Sequence, residues 1–483
     1  MDEPKPSMAA LTQETSTASI LLIEAFYGGS HKQLMDTIQQ LLSQAGLGAN
    51  ASDGESSDVC VVTLPPTKWH WRARTGALAL AALIPKHAGQ GFNVVFTSSV
   101  FSLPELLALR PDLQTAQKLL YFHENQIFYP LRRARTEKDY QYGYNQILSC
   151  LVADRIFFNS AHNMRSFLDG VPAFLTAGLP TPPSPRVPDG HRLVREVLSP
   201  KSSVLYYLVD VPPLVELSNS ERADFSFREA VVWQVERIRA RGDRKLKILW
   251  NHRWDYDKNP TDFFKAIFAL ADLPTESKLF EDGDQVLRPS AKRDAPSSAT
   301  YEVPSGSPVE PPNFLVSVLG GRTQDTPVIF SNVEAILRSR GCVAAWGFVP
   351  SRLDYWRELA DCDVVVSTAN HEFFGVSVVE AVSVGCVPLC PNRLSYPELL
   401  ASQHKAQLED GCLYATLAQL QKRLRRWAAR PTKLREVAAN ALMQLFSSSS
   451  SSTEHPWLRP EVLPGLSEEL RQCYLRIFGL NKE

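Results

Sequence analysis

Two acidic side chains, Glu372 and Glu380, carry the clearest chemical signal in the sequence. They stand in the string His371-Glu372-Phe373-Phe374-Gly375-Val376-Ser377-Val378-Val379-Glu380-Ala381, directly after an apolar run of strand length, Asp363–Thr368. The pattern predicts a helix that begins near Gly375. Glu372 then falls in the loop beyond the strand, and Glu380 lies inside the helix. The backbone N–H groups around Phe373, Phe374, Gly375 and Val376 sit at a helix N-terminus. The first donors of a helix have no partner within it, so that end attracts anions and hydroxyl-rich ligands. A carboxylate there can accept hydrogen bonds from two sugar hydroxyls.

A basic pair adds to this. In His252-Arg253-Trp254-Asp255-Tyr256-Asp257-Lys258, Arg253 and Lys258 flank a loop that follows the strand Leu246–Trp250. Both can face one anion. Arg offers a planar fork and Lys a point charge, which suits a diphosphate. In the first half of the chain, Gly28 and Gly29 stand in Phe26-Tyr27-Gly28-Gly29-Ser30-His31, after the strand Ile20–Ala25. Paired glycines let backbone approach a ligand closely. His123-Glu124-Asn125 follows another strand, Leu119–His123. Metal chemistry is not indicated. Asp361-x-Asp363 precedes its strand, at the wrong end of a sheet, Asp255-x-Asp257 lies within the Arg–Lys loop, and no His, Cys or Glu cluster has ligand spacing. No metal and no cofactor are expected.

These motifs need strands and helices to hold them. Strand-length runs recur at Val59–Leu64, Val94–Ser98, Arg155–Asn159 and Val204–Val209, and again at Phe314–Leu319, Val343–Val349 and Cys386–Cys390. They are continuous apolar runs rather than alternating ones, the mark of parallel strands covered on both faces. Helical patterns separate them, as in Phe263–Leu273 and Leu353–Ala360. The expected fold is α/β: two Rossmann-like doubly wound domains, residues 19–211 and 245–446, facing across a cleft. A charged segment, 212–244, reads as the interdomain linker, with a helix over Glu221–Arg241 after Pro212-Pro213. Residues 172–190 and 274–312 read as mobile insertions. The run Ser447–Ser452 reads as a linker ahead of one last helix, so 447–483 forms a tail.

Composition narrows the class. Of 483 residues, 44% are hydrophobic and 21% charged, which rules out a mostly disordered or fibrous chain. A net charge of −1 rules out a basic coat for nonspecific nucleic-acid binding. The longest apolar stretch, about Ala77–Ile84, is too short to span a bilayer, and residues 1–5 show no secretory leader. Eight scattered cysteines without paired spacing suit reduced thiols. The expectation is a cytoplasmic protein, with the nucleus as a second compartment, no membrane association and no obligate protein partner.

The string Glu-Phe-Phe-Gly-x4-Glu-Ala resembles the signature of retaining GT-B glycosyltransferases of the family 4 type, an acidic residue, seven spacers and a glutamate. That resemblance implies that Glu372 contacts the donor hexose and Glu380 the nucleotide ribose. It implies that Arg253 and Lys258 bind the donor diphosphate, that the Gly28–Gly29 loop faces the donor across the cleft, and that His123 contacts the donor sugar from the acceptor side. The Gly usual before the Arg is His252 here, and the Gly usual after the Lys is Asn259.

Longer strings narrow the likeness. Residues 22–34 around Glu24-Ala25-Phe26-Tyr27-Gly28-Gly29-Ser30-His31, then Lys68-Trp69-His70-Trp71-Arg72-Ala73-Arg74-Thr75, Tyr121-Phe122-His123-Glu124-Asn125-Gln126 and Gln141–Cys150 resemble the tRNA-queuosine α-mannosyltransferases. What this implies is transfer of mannose from GDP-mannose to the cyclopentenediol of queuosine, at the wobble position of cytosolic tRNA for aspartate, with retention. Alternatives are a lipid or protein acceptor, or a non-catalytic sugar-nucleotide or RNA-binding protein. On the acceptor side, Trp69, His70, Trp71, Arg72 and Arg74 mix aromatics and cations that can stack on bases and hold phosphates. Glu124 and Asn125 join them. A basic run, Lys422, Arg423, Arg425, Arg426, Arg430, Lys433 and Arg435, offers a second RNA-facing candidate, centred on Arg425 and Arg426.

Overall fold

The computed structural model describes residues 19–47, 59–86, 91–129, 139–176, 189–209, 214–218, 227–275, 278–281, 312–323, 326–400, 411–446 and 468–480. Two parallel sheets organise them. The first contains β1 (Ile20–Glu24), β2 (Val59–Thr63), β3 (Val94–Ser98), β4 (Gln117–Phe122), β5 (Arg155–Phe158) and β6 (Ser202–Val204), in the order β2-β1-β3-β4-β5-β6. The second contains β7 (Leu246–Asn251), β8 (Phe314–Leu319), β9 (Val343–Gly347), β10 (Val364–Val366), β11 (Val387–Pro391) and β12 (Leu413–Tyr414), in the order β12-β11-β10-β7-β8-β9. In each, the order reverses beside the first strand, and the carboxyl ends on either side of that switch open a crevice. Central strands β1 and β3 are buried along their whole length, which is why they read as unbroken apolar runs.

The segment read as a linker is more than that. Phe227–Arg239 is a helix whose Ala230, Val231, Val235 and Ile238 are buried in the same core as β7 and β10. Their spacing is one helical stripe beneath the charges. Gln234 donates to the carbonyls of Ala360 and Val384, at 2.9 and 3.0 Å. The last helix, Glu468–Ile477, returns to the first domain. Tyr474 donates to the Tyr206 carbonyl at 2.8 Å, and Phe478 lies 5.8 Å from Phe96. Within the insertion expected over 274–312, Lys278–Glu281 forms a short helix with Phe280 edge-on to Phe268. Residues 282–311 lie outside the described residues, as do the serine run and 177–188. Six of the eight cysteines are buried and none is in a disulfide. No helix among the described residues is long and apolar enough to cross a membrane.

Candidate active site

The cleft between the sheets encloses about 740 Å³. Its second-domain wall comes from two loops. After β10 the chain passes Glu372, Phe373 and Phe374 and enters the helix Val376–Ser383 through Gly375, whose φ of 98° lies in the left-handed region that suits glycine. Gly375 offers no side-chain cap, and Val376 and Ser377 line the cleft, so the first-turn N–H groups lie at its wall. After β7, the second loop brings Arg253 and Lys258 to the same space.

Lys258 is the electrostatic centre. Its Nζ donates to the His371 carbonyl at 2.9 Å and to Glu372 Oε2 at 3.1 Å, and lies 3.2 Å from Asp257 Oδ2. Burial would lower its pKa, but Asp257 and Glu372 outweigh that and raise it. Burial pushes the Glu372 carboxyl up, and Lys258 overcomes it and holds the group near about 2. His252 and His371 are pushed down to about 4, by burial first and Lys258 second. Nε2 of each is buried with no hydrogen-bond partner in the structure. Arg253 reaches from its loop and donates to Tyr129 Oη of the first domain at 3.1 Å.

The first-domain wall carries Gly28, Gly29, Trp69, His70, His123 and Glu124. At Gly28 a Cβ would come within 2.3 Å of Pro66, and Gly29 has a φ of 53°, so both glycines have steric reasons to be there. Trp69 stands edge-on to Tyr142 at 4.9 Å, and His70 Nδ1 lies 2.8 Å from Tyr142 Oη. Direct bonds close the cleft at its end. Ser160 Oγ donates to the Phe373 carbonyl at 2.5 Å, and the N–H groups of Ala161 and His162 donate to Glu398 at 2.6 and 3.0 Å.

Several expected site residues lie elsewhere. Asn125 is fully buried; it donates to Asn163 Oδ1 at 2.9 Å and accepts from Phe128 N at 2.8 Å, so it fastens a turn and meets no acceptor. Glu380 is buried behind the cleft lining, where Arg352, Tyr355 and Gln33 donate to it at 2.8, 2.9 and 3.3 Å. Arg74 is taken by Asp139 and lies over the Tyr142 ring, and Arg72 donates to the Pro65 carbonyl at 3.2 Å. Trp71 points outward, 63% exposed.

The basic run does not form one face. Arg423 and Arg435 are buried; Arg423 donates to the Leu413 carbonyl at 2.5 Å, and Arg435 Nη2 to Asp363 Oδ2 at 2.7 Å. Arg425 donates to the Ala269 carbonyl at 2.9 Å, near the end of the Pro260–Leu270 helix away from the cleft. Asp363, half of the Asp-x-Asp string, is occupied by Arg241 and Arg435.

Sequence reasoning gave no role to His31, Tyr129, Tyr142, Asp139, Asp257 or His371, all of which line the cleft. It also found no metal-ligand cluster, yet the fold gathers Glu24, His31 and His123 with ligand atoms within 4.8 Å of one another. Glu24 Oε1 accepts from Phe26 N and Ser98 Oγ, Oε2 lies 3.1 Å from His31 Nδ1, and the His31 and His123 rings lie face to face.

Residues 19–209 match the model of the tRNA-queuosine alpha-mannosyltransferase N-terminal family. Over 418 residues the chain is 36% identical to a tRNA-queuosine alpha-mannosyltransferase of Drosophila melanogaster, across 86% of this chain and 89% of that protein. The chain belongs to this family. Among solved structures it is similar to a sucrose-phosphate synthase from Thermosynechococcus elongatus, with a TM-score of 0.55 at 13% identity over 96% of this chain and 100% of that one. A glycosyltransferase from Rickettsia africae gives 0.51 at 13%, over 95% and 97%. The fold is therefore GT-B, and this member of the tRNA-queuosine α-mannosyltransferase family is a glycosyltransferase.

Proposed function

We propose that the chain transfers mannose from GDP-mannose to the cyclopentenediol of queuosine, at the wobble position of cytoplasmic tRNA for aspartate, with retention. One observation carries the donor half. Lys258 and Arg253, two helix N-termini at Gly28 and Gly375, and the Lys258-held carboxylate of Glu372 converge on a single cleft. The cations and helix ends take the diphosphate, where negative charge grows as the sugar–phosphate bond breaks. Glu372 binds mannose hydroxyls, with His123 opposite. The nucleotide ribose reaches Glu380 by replacing Gln33 or Arg352 as its partner. The anomeric carbon loses its bond to the phosphate oxygen and gains one to the acceptor oxygen on the same face. The acceptor hydroxyl proton passes to the departing phosphate. Positive side chains and helix ends do the work a metal does elsewhere, so turnover continues in excess EDTA; activity abolished by EDTA and restored only by Mg²⁺ or Mn²⁺ refutes that part.

For the acceptor, Trp69, His70 and Tyr142 form a wall of planar groups suited to a flat, extruded base, with Glu124 beside it. Outside the cleft, Trp71, Phe128, Tyr140 and Tyr144 are exposed aromatics of the first domain. The sequence between Tyr129 and Tyr140 adds Arg132, Arg133, Arg135 and Lys138. Exposed stacking faces, with cations close to them in the sequence, suit an anticodon loop. The full-length protein is incubated with labelled GDP-mannose or UDP-glucose and with tRNA that carries or lacks queuosine. Label is expected only from GDP-mannose and only on queuosine tRNA. Transfer to unmodified tRNA, or from UDP-glucose alone, overturns the reading.

A further inference from the structure

Strand β1 ends in a carboxylate with no exposure at all, Glu24. A buried carboxylate is tolerated only when its oxygens are taken. Oε1 accepts from Phe26 N at 2.8 Å and from Ser98 Oγ at 3.0 Å, and Oε2 accepts from His31 Nδ1 at 3.1 Å. His31 stands in the first turn of the Gly29–Gln44 helix, and the Ser30 carbonyl beside it accepts from Tyr207 Oη at 2.8 Å. The His31 ring lies against His123, with centroids 3.9 Å apart and planes 29° apart. Tyr121 meets the His123 ring edge-on at 5.0 Å.

Two imidazoles in face contact do not both carry charge. At this separation, in a buried site, two like charges repel too strongly for both rings to stay protonated. Glu24 decides which ring is charged, because it bonds His31 and does not bond His123. We infer that the Glu24–His31 pair is a positioning device for His123: it fixes the plane of that ring and keeps it uncharged, with a lone pair free toward the donor sugar. The role of the free lone pair rests on the reading that His123 faces the mannose; the charge arrangement does not.

The electrostatics agree with the geometry. Burial alone would lower the pKa of His31, but Glu24, and more weakly Glu124, raise it above the ordinary value. Burial holds His123 well below the ordinary range, and the charge on His31 pushes the same way. The other titratable groups around the pair are Tyr121 and Tyr207 from the first domain and Arg253, Lys258 and Glu372 across the cleft.

The test reads the rings directly, in the full-length protein labelled in its histidines and without substrate. In the wild type, the His31 nitrogens should show an imidazolium at pH 7 and His123 a neutral ring down to the lowest pH at which the protein stays folded. His31→Gln keeps a donor to Glu24 and removes the charge, and Glu24→Gln removes the carboxylate that sustains it. In both, the His123 titration should rise by about one pH unit. The acid limb of the kcat/KM profile should rise by the same amount. A neutral His31 at pH 7 in the wild type overturns the proposal even if neither variant folds. A His123 titration that stays put in folded variants, with activity lowered equally at every pH, also overturns it and leaves His31 a packing residue. Because the spectra need no substrate, they stand apart from any failure of the GDP-mannose assay.

Discussion

The two walls of the cleft are built on different principles. The second-domain wall is short in sequence and dense in charge: Asp257, Lys258 and Glu372 form one buried ion-paired group supplied by two loops. The first-domain wall is assembled from distant pieces, β1, the Trp69–Leu83 helix, the residues after β4 and the Tyr140–Val152 helix, and is rich in rings. A diphosphate presents the same charge whatever the acceptor, so two local motifs suffice to meet it. A particular acceptor must be read by shape and stacking, and such a surface is spread along the chain. The comparison makes a claim that can be broken: removing charge from one wall should cost chemistry, and removing rings from the other should cost acceptor recognition.

The largest effect belongs to the charged wall. Lys258→Ala removes the cation proposed to face the leaving group and strips Glu372 of its partner. Loss of a donor that stabilises developing charge costs about 10²- to 10³-fold in kcat. The same order is expected for Lys258→Ala and for Arg253→Ala, with tRNA binding little changed. Rate constants within a few-fold of wild type for both variants would place the diphosphate elsewhere and erase the distinction between the walls.

Next comes a pH effect on stability from the same group. The Glu372 carboxyl is held near about 2 in the fold against its ordinary value of 4.5. A lowered carboxyl contributes stability that is fully present above the unfolded value and is lost as pH falls through the folded one. The loss therefore develops from about pH 4.5 down to about 2. One unit corresponds to about 1.4 kcal/mol. With 18% of the side chain exposed, the discounted contribution is on the order of 2 kcal/mol. Urea midpoints followed through that window should fall more steeply in the wild type than in Glu372→Gln. Parallel curves would show that the pair with Lys258 adds nothing to the fold.

How far the sequence disclosed all this follows the same division. Continuous apolar runs placed ten of the strands because parallel strands are covered on both faces; β6, Ser202–Val204, meets the run expected at Val204–Val209 only at its last residue, and β12, Leu413–Tyr414, is two residues long and leaves no such run. Loop motifs placed Arg253, Lys258 and Glu372 because local spacing alone brings them to one sheet end. The helix Phe227–Arg239 was legible within Glu221–Arg241, but its charges hid its place in the core, where Ala230, Val231, Val235 and Ile238 form a buried helical stripe. Glu24 stood in plain view, an acid closing an otherwise apolar strand, but its partner His31 becomes meaningful only once β4 brings His123 against it. Asn125 read as a ligand-facing polar residue because nothing in the sequence shows that Asn163 lies beside it. Basic residues at 423 and 435 looked like surface for the same reason, since the carbonyls and Asp363 that they meet are distant in the chain.

The exposed aromatics outside the ring-rich wall should give smaller effects, in binding rather than chemistry. Trp71 is 63% exposed with no ring partner among the described contacts, as expected of a stacking platform awaiting a base. A stacked base contributes about 1 to 3 kcal/mol. Trp71→Ala should raise the KM for queuosine tRNA by at least ~5-fold, following the lower end of that range. The rise should be nearly the same at low and high salt, while GDP-mannose binding stays constant. An effect confined to low salt would mean that this rim works through phosphates, and the contrast between the walls would have to be redrawn.

The smallest effect is expected where the sequence promised a larger one. Arg425 and Arg426 lie in a basic run that looked like a phosphate-binding face. In the fold, Arg425 is tied to the Ala269 carbonyl near the end of its helix away from the cleft, and Arg423 and Arg435 of the same run are interior. A protein that uses several cations against phosphates loses affinity steeply with salt, with a slope that falls by about one for each contact removed. The double variant Arg425→Glu and Arg426→Glu should therefore change the KM for tRNA by less than ~3-fold and leave the salt slope within one unit of wild type. Measured from low to moderate salt, a slope shallower by about two would show that both arginines do meet phosphates. Recognition would then extend over the back of the second domain, and the ring-rich wall would be one part of a larger RNA surface.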